Sequence, residues 1–220
     1  MKTRFKNRDD AGRRLAAELR AYAGRDDVIV LGLPRGGVPV AYRVAEALQA
    51  PLDVFVVRKL GLPWHEELAM GAIASGGVRV LDPDLIKTAR VSDADIDRVT
   101  TVEQAELERR EKRYRGDRPF PDLHGKTVIL VDDGLATGST MRAAVHALRR
   151  QSPGEVVVAV PVAPPEVCDA FSYIADEIVC AETPEPFQAV GLWYQDFSQT
   201  TDDEVHRLLE SAIHAAPTRT

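Results

Sequence analysis

The sequence predicts an α/β fold, a central parallel sheet flanked by helices. Three observations predict it. Short continuous apolar runs recur at 28–33, 52–57, 127–131, 156–162 and 177–181, the pattern of strands buried on both faces. Helical periodicity separates them at 38–49 and 140–150, and strands alternating with helices imply right-handed crossovers. The glycines, prolines and paired charges fall just after the apolar runs, where such sheets bind ligands.

The other elements follow in order. Residues 9–22 read as an amphipathic helix, with Leu15, Leu19 and Tyr22 near one face. Residues 71–81 read as a hairpin turning at Ser75-Gly76-Gly77. A long charged helix covers 92–115. Ser92 and Asp95 form a capping pair, Glu106/Arg110, Glu108/Lys112 and Glu111/Arg115 stand at helical spacing, and Pro119 and Pro121 end it. Residues 201–214 close the chain as a helix with a Thr201/Glu204 capping box.

Composition narrows the function classes. The 220 residues suit one sizeable domain. Hydrophobic residues are 45% and charged residues 28%, enough for a packed core. A net charge of −6 and a pI near 5.4 argue against a nucleic-acid partner, which wants a basic face. No apolar run spans a bilayer and residues 1–10 lack an apolar signal core, so the expectation is a cytoplasmic protein with no membrane contact. Cys168 and Cys180 read as buried thiols rather than a disulfide framework or zinc site.

The most informative segment is Val128-Ile129-Leu130-Val131-Asp132-Asp133-Gly134-Leu135-Ala136-Thr137-Gly138-Ser139-Thr140. An apolar strand runs into two acids, then a small-residue turn, then a helix. Unpaired N–H groups and the hydroxyls of Thr137, Ser139 and Thr140 gather at a helix start, which is an anion site. The acids upstream suit a sugar diol or Mg²⁺. No lysine follows Gly138 as a P-loop requires, and the G-x-G-x-x-G fingerprint is absent.

This run closely resembles the PRPP-binding motif of type I phosphoribosyltransferases, PRPP being 5-phosphoribosyl-1-pyrophosphate. The resemblance spans roughly residues 28–162, with gaps. It implies that family's fold, with a small hood, and it implies PRPP and Mg²⁺ as ligands. By position, Asp132 and Asp133 would hold the ribose hydroxyls, meeting Mg²⁺ directly or through water or PRPP. The segment from Gly134 through Ala136, Thr137, Gly138, Ser139 and Thr140 would cradle the 5′-phosphate. Pro34-Arg35-Gly36-Gly37 matches the family's pyrophosphate loop, which often carries a non-proline cis peptide. Arg58-Lys59-Leu60-Gly61-Leu62-Pro63 is similar to a stretch of adenine phosphoribosyltransferases, and implies that Arg58 and Lys59 join Arg35 on the pyrophosphate.

The same resemblance implies a mobile loop beginning at Trp64-His65-Glu66-Glu67. Glu66, Glu67 or His65 would serve as acid or base, with Glu67 the first choice. Ala136 stands where 6-oxopurine enzymes of the family carry an aspartate, so a purine-type acceptor of the adenine kind is the expectation. Residues 187–197 hold four aromatics in eleven positions. They read either as core packing or as the hood, in which Trp193 or Tyr194 stacks on the acceptor and Asp196 accepts its N–H. The resulting expectation is a single domain over 1–220, with a helical insertion at 82–121, a hood at 182–200 and a homodimeric assembly. It transfers phosphoribosyl from PRPP to a nitrogen acceptor. The alternative is a non-catalytic PRPP or nucleotide sensor of the same fold.

Overall fold

A computed structural model describes residues 4–215. Five parallel strands form the central sheet: β1 (Val28–Gly32), β2 (Leu52–Val54), β6 (Thr127–Val131), β7 (Glu155–Val162) and β8 (Glu177–Glu182). Their order is β2-β1-β6-β7-β8. Alternate residues of each strand serve opposite faces. Val28 and Val30 of β1 and Ile129 of β6 pack under α1 (Arg8–Glu18), α2 (Gly37–Leu48) and α7 (Asp202–Ala215). Ile29 and Leu31, with Val128 and Leu130, face α5 (Ser139–Arg149) and α6 (Pro165–Phe171). Both layers are dry, so every strand reads as a continuous apolar run rather than an alternating one.

The strand order reverses between β1 and β6. α2 leaves β1 toward β2, while α5 leaves β6 toward β7. The crevice therefore opens at the carboxyl ends of β1 and β6. Register brings those ends level: Gly32 pairs with Val131, and the Leu33 amide donates to the Val131 carbonyl at 2.9 Å. The segments that follow, Pro34–Gly37 and Asp132–Gly138, are side by side for that reason.

The run over 52–57 is not one strand. β2 ends at Val54, and a second sheet starts at Val57 with β3 (Val57–Leu62), β4 (His65–Ala74) and β5 (Val78–Leu81), all antiparallel. Phe55 and Val56 between them are fully buried, so hydrophobicity alone hides the change of sheet. The expected mobile loop at 64–67 is also corrected. Leu62 pairs with His65 across a tight turn at Pro63-Trp64, and His65, Glu66 and Glu67 belong to β4. The hairpin expected at 71–81 is present, its turn at Ser75-Gly76-Gly77.

α3 (Pro83–Ala89) and α4 (Asp93–Arg115) follow, with the Ser92 hydroxyl accepting from the Asp95 amide. Arg110 and Arg115 reach Glu106 and Glu111 as their spacing predicts, while Glu108 accepts from Gln104 instead. Arg115 does more than support its helix. Its buried guanidinium binds Asp53 of β2 at 3.1 Å and the Val54 carbonyl at 3.1 Å, anchoring α4 to the main sheet. Cys168 and Cys180 are not buried thiols. α6 packs on β8, which brings their Cα atoms to 7.0 Å, and the sulfurs form a disulfide in half-buried surroundings.

Candidate active site

Three segments build the crevice. The first is Pro34–Gly37, whose Pro34–Arg35 peptide is cis. A Cβ on Gly36 would lie 2.0 Å from Asp133 Oδ2, and one on Gly37 would lie 2.6 Å from the Val131 carbonyl oxygen. Only glycine lets this turn lie against the acids.

The second segment is Asp132–Ser139. Asp132 Oδ1 accepts from the Asp133 amide at 2.8 Å. Asp133 Oδ2 accepts from Arg8 Nε at 2.9 Å and Nη2 at 2.8 Å. Among the described residues, no other residue bonds the second oxygen of either carboxylate, so each acid keeps one acceptor for a ligand. Burial, and secondly the Asp133 charge, push Asp132 well above the ordinary aspartate range. Burial also raises Asp133, and Arg8 opposes the rise. Beyond the acids, Gly138 caps α5 in the left-handed region at φ 70° and offers no side-chain cap of its own; the Thr137 hydroxyl accepts from the Ser139 amide at a long 3.4 Å. A Cβ there would meet the Phe171 ring at 2.6 Å. The first-turn amides of α5, together with the exposed Thr137, Ser139 and Thr140, form an anion cradle. Ala136 is exposed beside them.

The third segment is the stretch after β8. A 3₁₀ turn at Val190–Trp193 leads to Tyr194. The Tyr194 ring is buried against Phe5 at 5.4 Å between centroids. Its hydroxyl donates to the Asp133 carbonyl at 2.6 Å, and burial raises it far above an ordinary phenol. Tyr194 thus braces the acid pair from behind. Trp193 is half-buried and stacked near Phe187. Asp196 is exposed and accepts from the Ser198 amide at 2.9 Å, a bond that holds it below the usual carboxylate range.

The three expected cations separate. Neighbours on a strand point to opposite faces. Lys59 reaches the Ser139 hydroxyl at 3.3 Å, over the anion cradle. Arg58 faces α4 and pairs with Glu103 at 2.6 Å. Arg35 lies 3.7 Å from Asp202, which also accepts from the Tyr114 hydroxyl at 2.8 Å. His65, Glu66 and Glu67 are exposed on the hairpin. Arg8 and Tyr194 meet at Asp133 from the two ends of the chain; the aromatic run signalled Tyr194, but nothing in local sequence signalled Arg8.

Mg²⁺ has a limited place here. Among the described residues, no group of three or more His, Cys, Asp or Glu side chains gathers to hold a metal. Two carboxylates with one open oxygen each fit an ion that keeps its waters and arrives on a diphosphate, so Asp132 and Asp133 suit it only as indirect partners.

A doubly wound parallel sheet with an acid pair feeding a phosphate cradle at its switch point defines the class of type I phosphoribosyltransferases. The chain belongs to that family: the model of the phosphoribosyl transferase domain matches residues 3–192. It is similar to a Mycobacterium tuberculosis protein provisionally named a phosphoribosyl transferase. The two are 49% identical over 208 residues, 94% of this chain and 47% of that protein. The chain thus spans about half the length of that curated relative. A bifunctional protein PyrR of Roseiflexus is 34% identical over 136 residues, 61% of this chain and 55% of that one. The crystal structure of TT1426 from Thermus thermophilus superposes with a TM-score of 0.84 at 42% identity. That match covers 95% of this chain and 99% of that one. Among the described residues no helix is long and apolar enough to cross a membrane.

Proposed function

We propose that the chain transfers a 5-phosphoribosyl group from PRPP to a nitrogen acceptor, releasing pyrophosphate. The observation that carries this is the pairing of one open oxygen on each of Asp132 and Asp133 with a helix start whose N-cap is a glycine a few residues on. Two acceptors suit two vicinal hydroxyls, and the helix start suits the phosphate on the same sugar.

In the reaction, the acceptor nitrogen donates its lone pair to the sugar's anomeric carbon. The bond from that carbon to the pyrophosphate oxygen breaks, and its electrons leave with pyrophosphate. The nitrogen then gives up its proton, with Glu67 the side chain we assign first. Asp132 and Asp133 hold the ribose while the anomeric carbon gains oxocarbenium character. The turn at Arg35, Gly36 and Gly37 receives the pyrophosphate, and Lys59 adds positive charge from the hairpin. Arg58 joins it only by leaving Glu103. Mg²⁺ bound to PRPP would neutralise charge on the leaving group. Trp193 at the rim of the hood is the better-placed ring for a flat acceptor, because Tyr194 is turned inward. Ala136 keeps a purine of the adenine kind as the first acceptor to test. The helices at 82–121 would brace the hairpin.

Incubating the chain with Mg-PRPP and a panel of nucleobases and small amines tests this, with pyrophosphate as readout. One acceptor should give acceptor-dependent release, and Asp133→Asn should abolish PRPP binding while the fold persists. A second reading, a non-catalytic PRPP or nucleotide sensor, is favoured by Arg35 and Arg58 being engaged by Asp202 and Glu103. PRPP binding without pyrophosphate release on any acceptor would decide for it.

A further inference from the structure

Arg8 is the first residue of α1, 125 positions from Asp133. Its guanidinium has three kinds of partner at once. It donates to Asp133 Oδ2 through Nε at 2.9 Å and Nη2 at 2.8 Å. It donates through Nη1 to the Ser198 carbonyl at 2.6 Å. Its carbon sits 4.0 Å from the centre of the Phe197 ring. The side chain is only 12% exposed, and among the described residues its ion pair is with Asp133.

That partner has a fixed division of labour. Gly36 leaves room beside Oδ2 of Asp133, and the Arg8 fork fills that side. The carboxylate cannot rotate without breaking both N–H bonds, so its other oxygen is held in one orientation. Asp132 is divided in the same way by the Asp133 amide. Phe197 and Ser198 lie near the end of the 182–200 segment expected as the hood. Arg8 therefore joins that stretch to the acid it orients.

We propose that Arg8 is a positioning residue for the ribose: it holds Asp133 with one oxygen aimed at a sugar hydroxyl, and ties that orientation to the segment Phe197-Ser198. The proposal rests on Asp132 and Asp133 being the ribose grip, and it predicts a loss specific to ligands that carry the diol.

The test uses the full chain and calorimetric titration with Mg-PRPP, ribose 5-phosphate and pyrophosphate. Arg8→Met should weaken PRPP and ribose 5-phosphate by about tenfold or more, the worth of a charge-assisted bond. Pyrophosphate, which has no diol, should bind as before. Arg8→Lys should recover part of the loss. Phe197→Leu removes only the ring under the guanidinium and should weaken PRPP roughly threefold. Arg8→Met binding PRPP as tightly as the parent, or tighter, would overturn the proposal and make Arg8 an obstruction. So would an equal loss for pyrophosphate, which marks general loosening. If Arg8→Met does not fold, unchanged PRPP affinity in both Arg8→Lys and Phe197→Leu would overturn it. If Asp133→Asn itself leaves PRPP binding intact, the ribose grip fails, and the role of Arg8 with it.

Discussion

At Gly36 a single methyl group has nowhere to go, since its carbon would fall 2.0 Å from Asp133 Oδ2. Gly36→Ala should displace either the turn or the acid. It should cost about 1–3 kcal/mol of stability, as overpacking does, and should lower PRPP affinity by about tenfold or more; thermal unfolding and calorimetric titration read the two effects. Asp132 gives a pH signature. Its folded-state pKa is raised by burial and by Asp133, so the native chain keeps a proton that the unfolded chain releases. Between the ordinary aspartate value and the raised one, stability falls as pH rises. Asp132→Asn should flatten that slope and raise the unfolding temperature at pH 8, by about 1–2 kcal/mol in stability. A parallel slope in the variant would show that the destabilisation lies elsewhere. That the acids, the turn glycines and the helix-start hydroxyls belong together was legible in sequence because they sit in two short contiguous stretches. Arg8 was not, since its partner lies 125 residues away and an arginine opening a helix looks like any solvated one.

Elements show a different limit. Every strand of the main sheet was visible as an apolar run, yet the run over 52–57 joined β2 to the first residue of β3, and the rest of β3 read as a stretch after the strand. Phe55 and Val56 are buried whichever sheet they serve, and hydrophobicity does not record a change of pairing partner. The hairpin at 62–65 was missed because it turns on Pro63-Trp64 rather than on the Asn-Gly or Gly-x pairs that announce two-residue turns. The α4 anchor was also invisible. Arg115 and Asp53 are 62 residues apart and only 4% and 9% exposed. Arg115→Met should leave Asp53 buried and unpaired, costing about 3–5 kcal/mol, and denaturant unfolding measures it. The disulfide closes a short span, its cysteines separated by 12 in sequence. Its removal in Cys168→Ser/Cys180→Ser should cost roughly 2–3 kcal/mol, and the unfolding midpoint of the oxidised parent against the variant checks it.

Across the whole molecule, the site exists because topology reverses between β1 and β6 and register then sets Gly32 beside Val131. Alternation of strands and helices was enough to point to the strand ends, but only the paired register puts the Pro34–Gly37 turn against the acids. The ligand should therefore knit both halves. Saturating Mg-PRPP at about one hundred times its dissociation constant should add about 2.7 kcal/mol to stability. Asp133→Asn should lose that increment, as differential scanning calorimetry would show.

Phe5 pairs with Tyr194 as an isolated bridge: the Phe5 amide donates to the Trp193 carbonyl at 2.9 Å, and the Gln195 amide to the Phe5 carbonyl at 2.8 Å. The opening residues are thus stitched to the aromatic segment beside the crevice. α7, by contrast, starts at Asp202 next to Arg35 and carries the chain 14 residues onward, about 21 Å. A purification handle attached close to Phe5 would pull on the bridge that holds the aromatic segment, whereas one attached after α7 would not load that bridge.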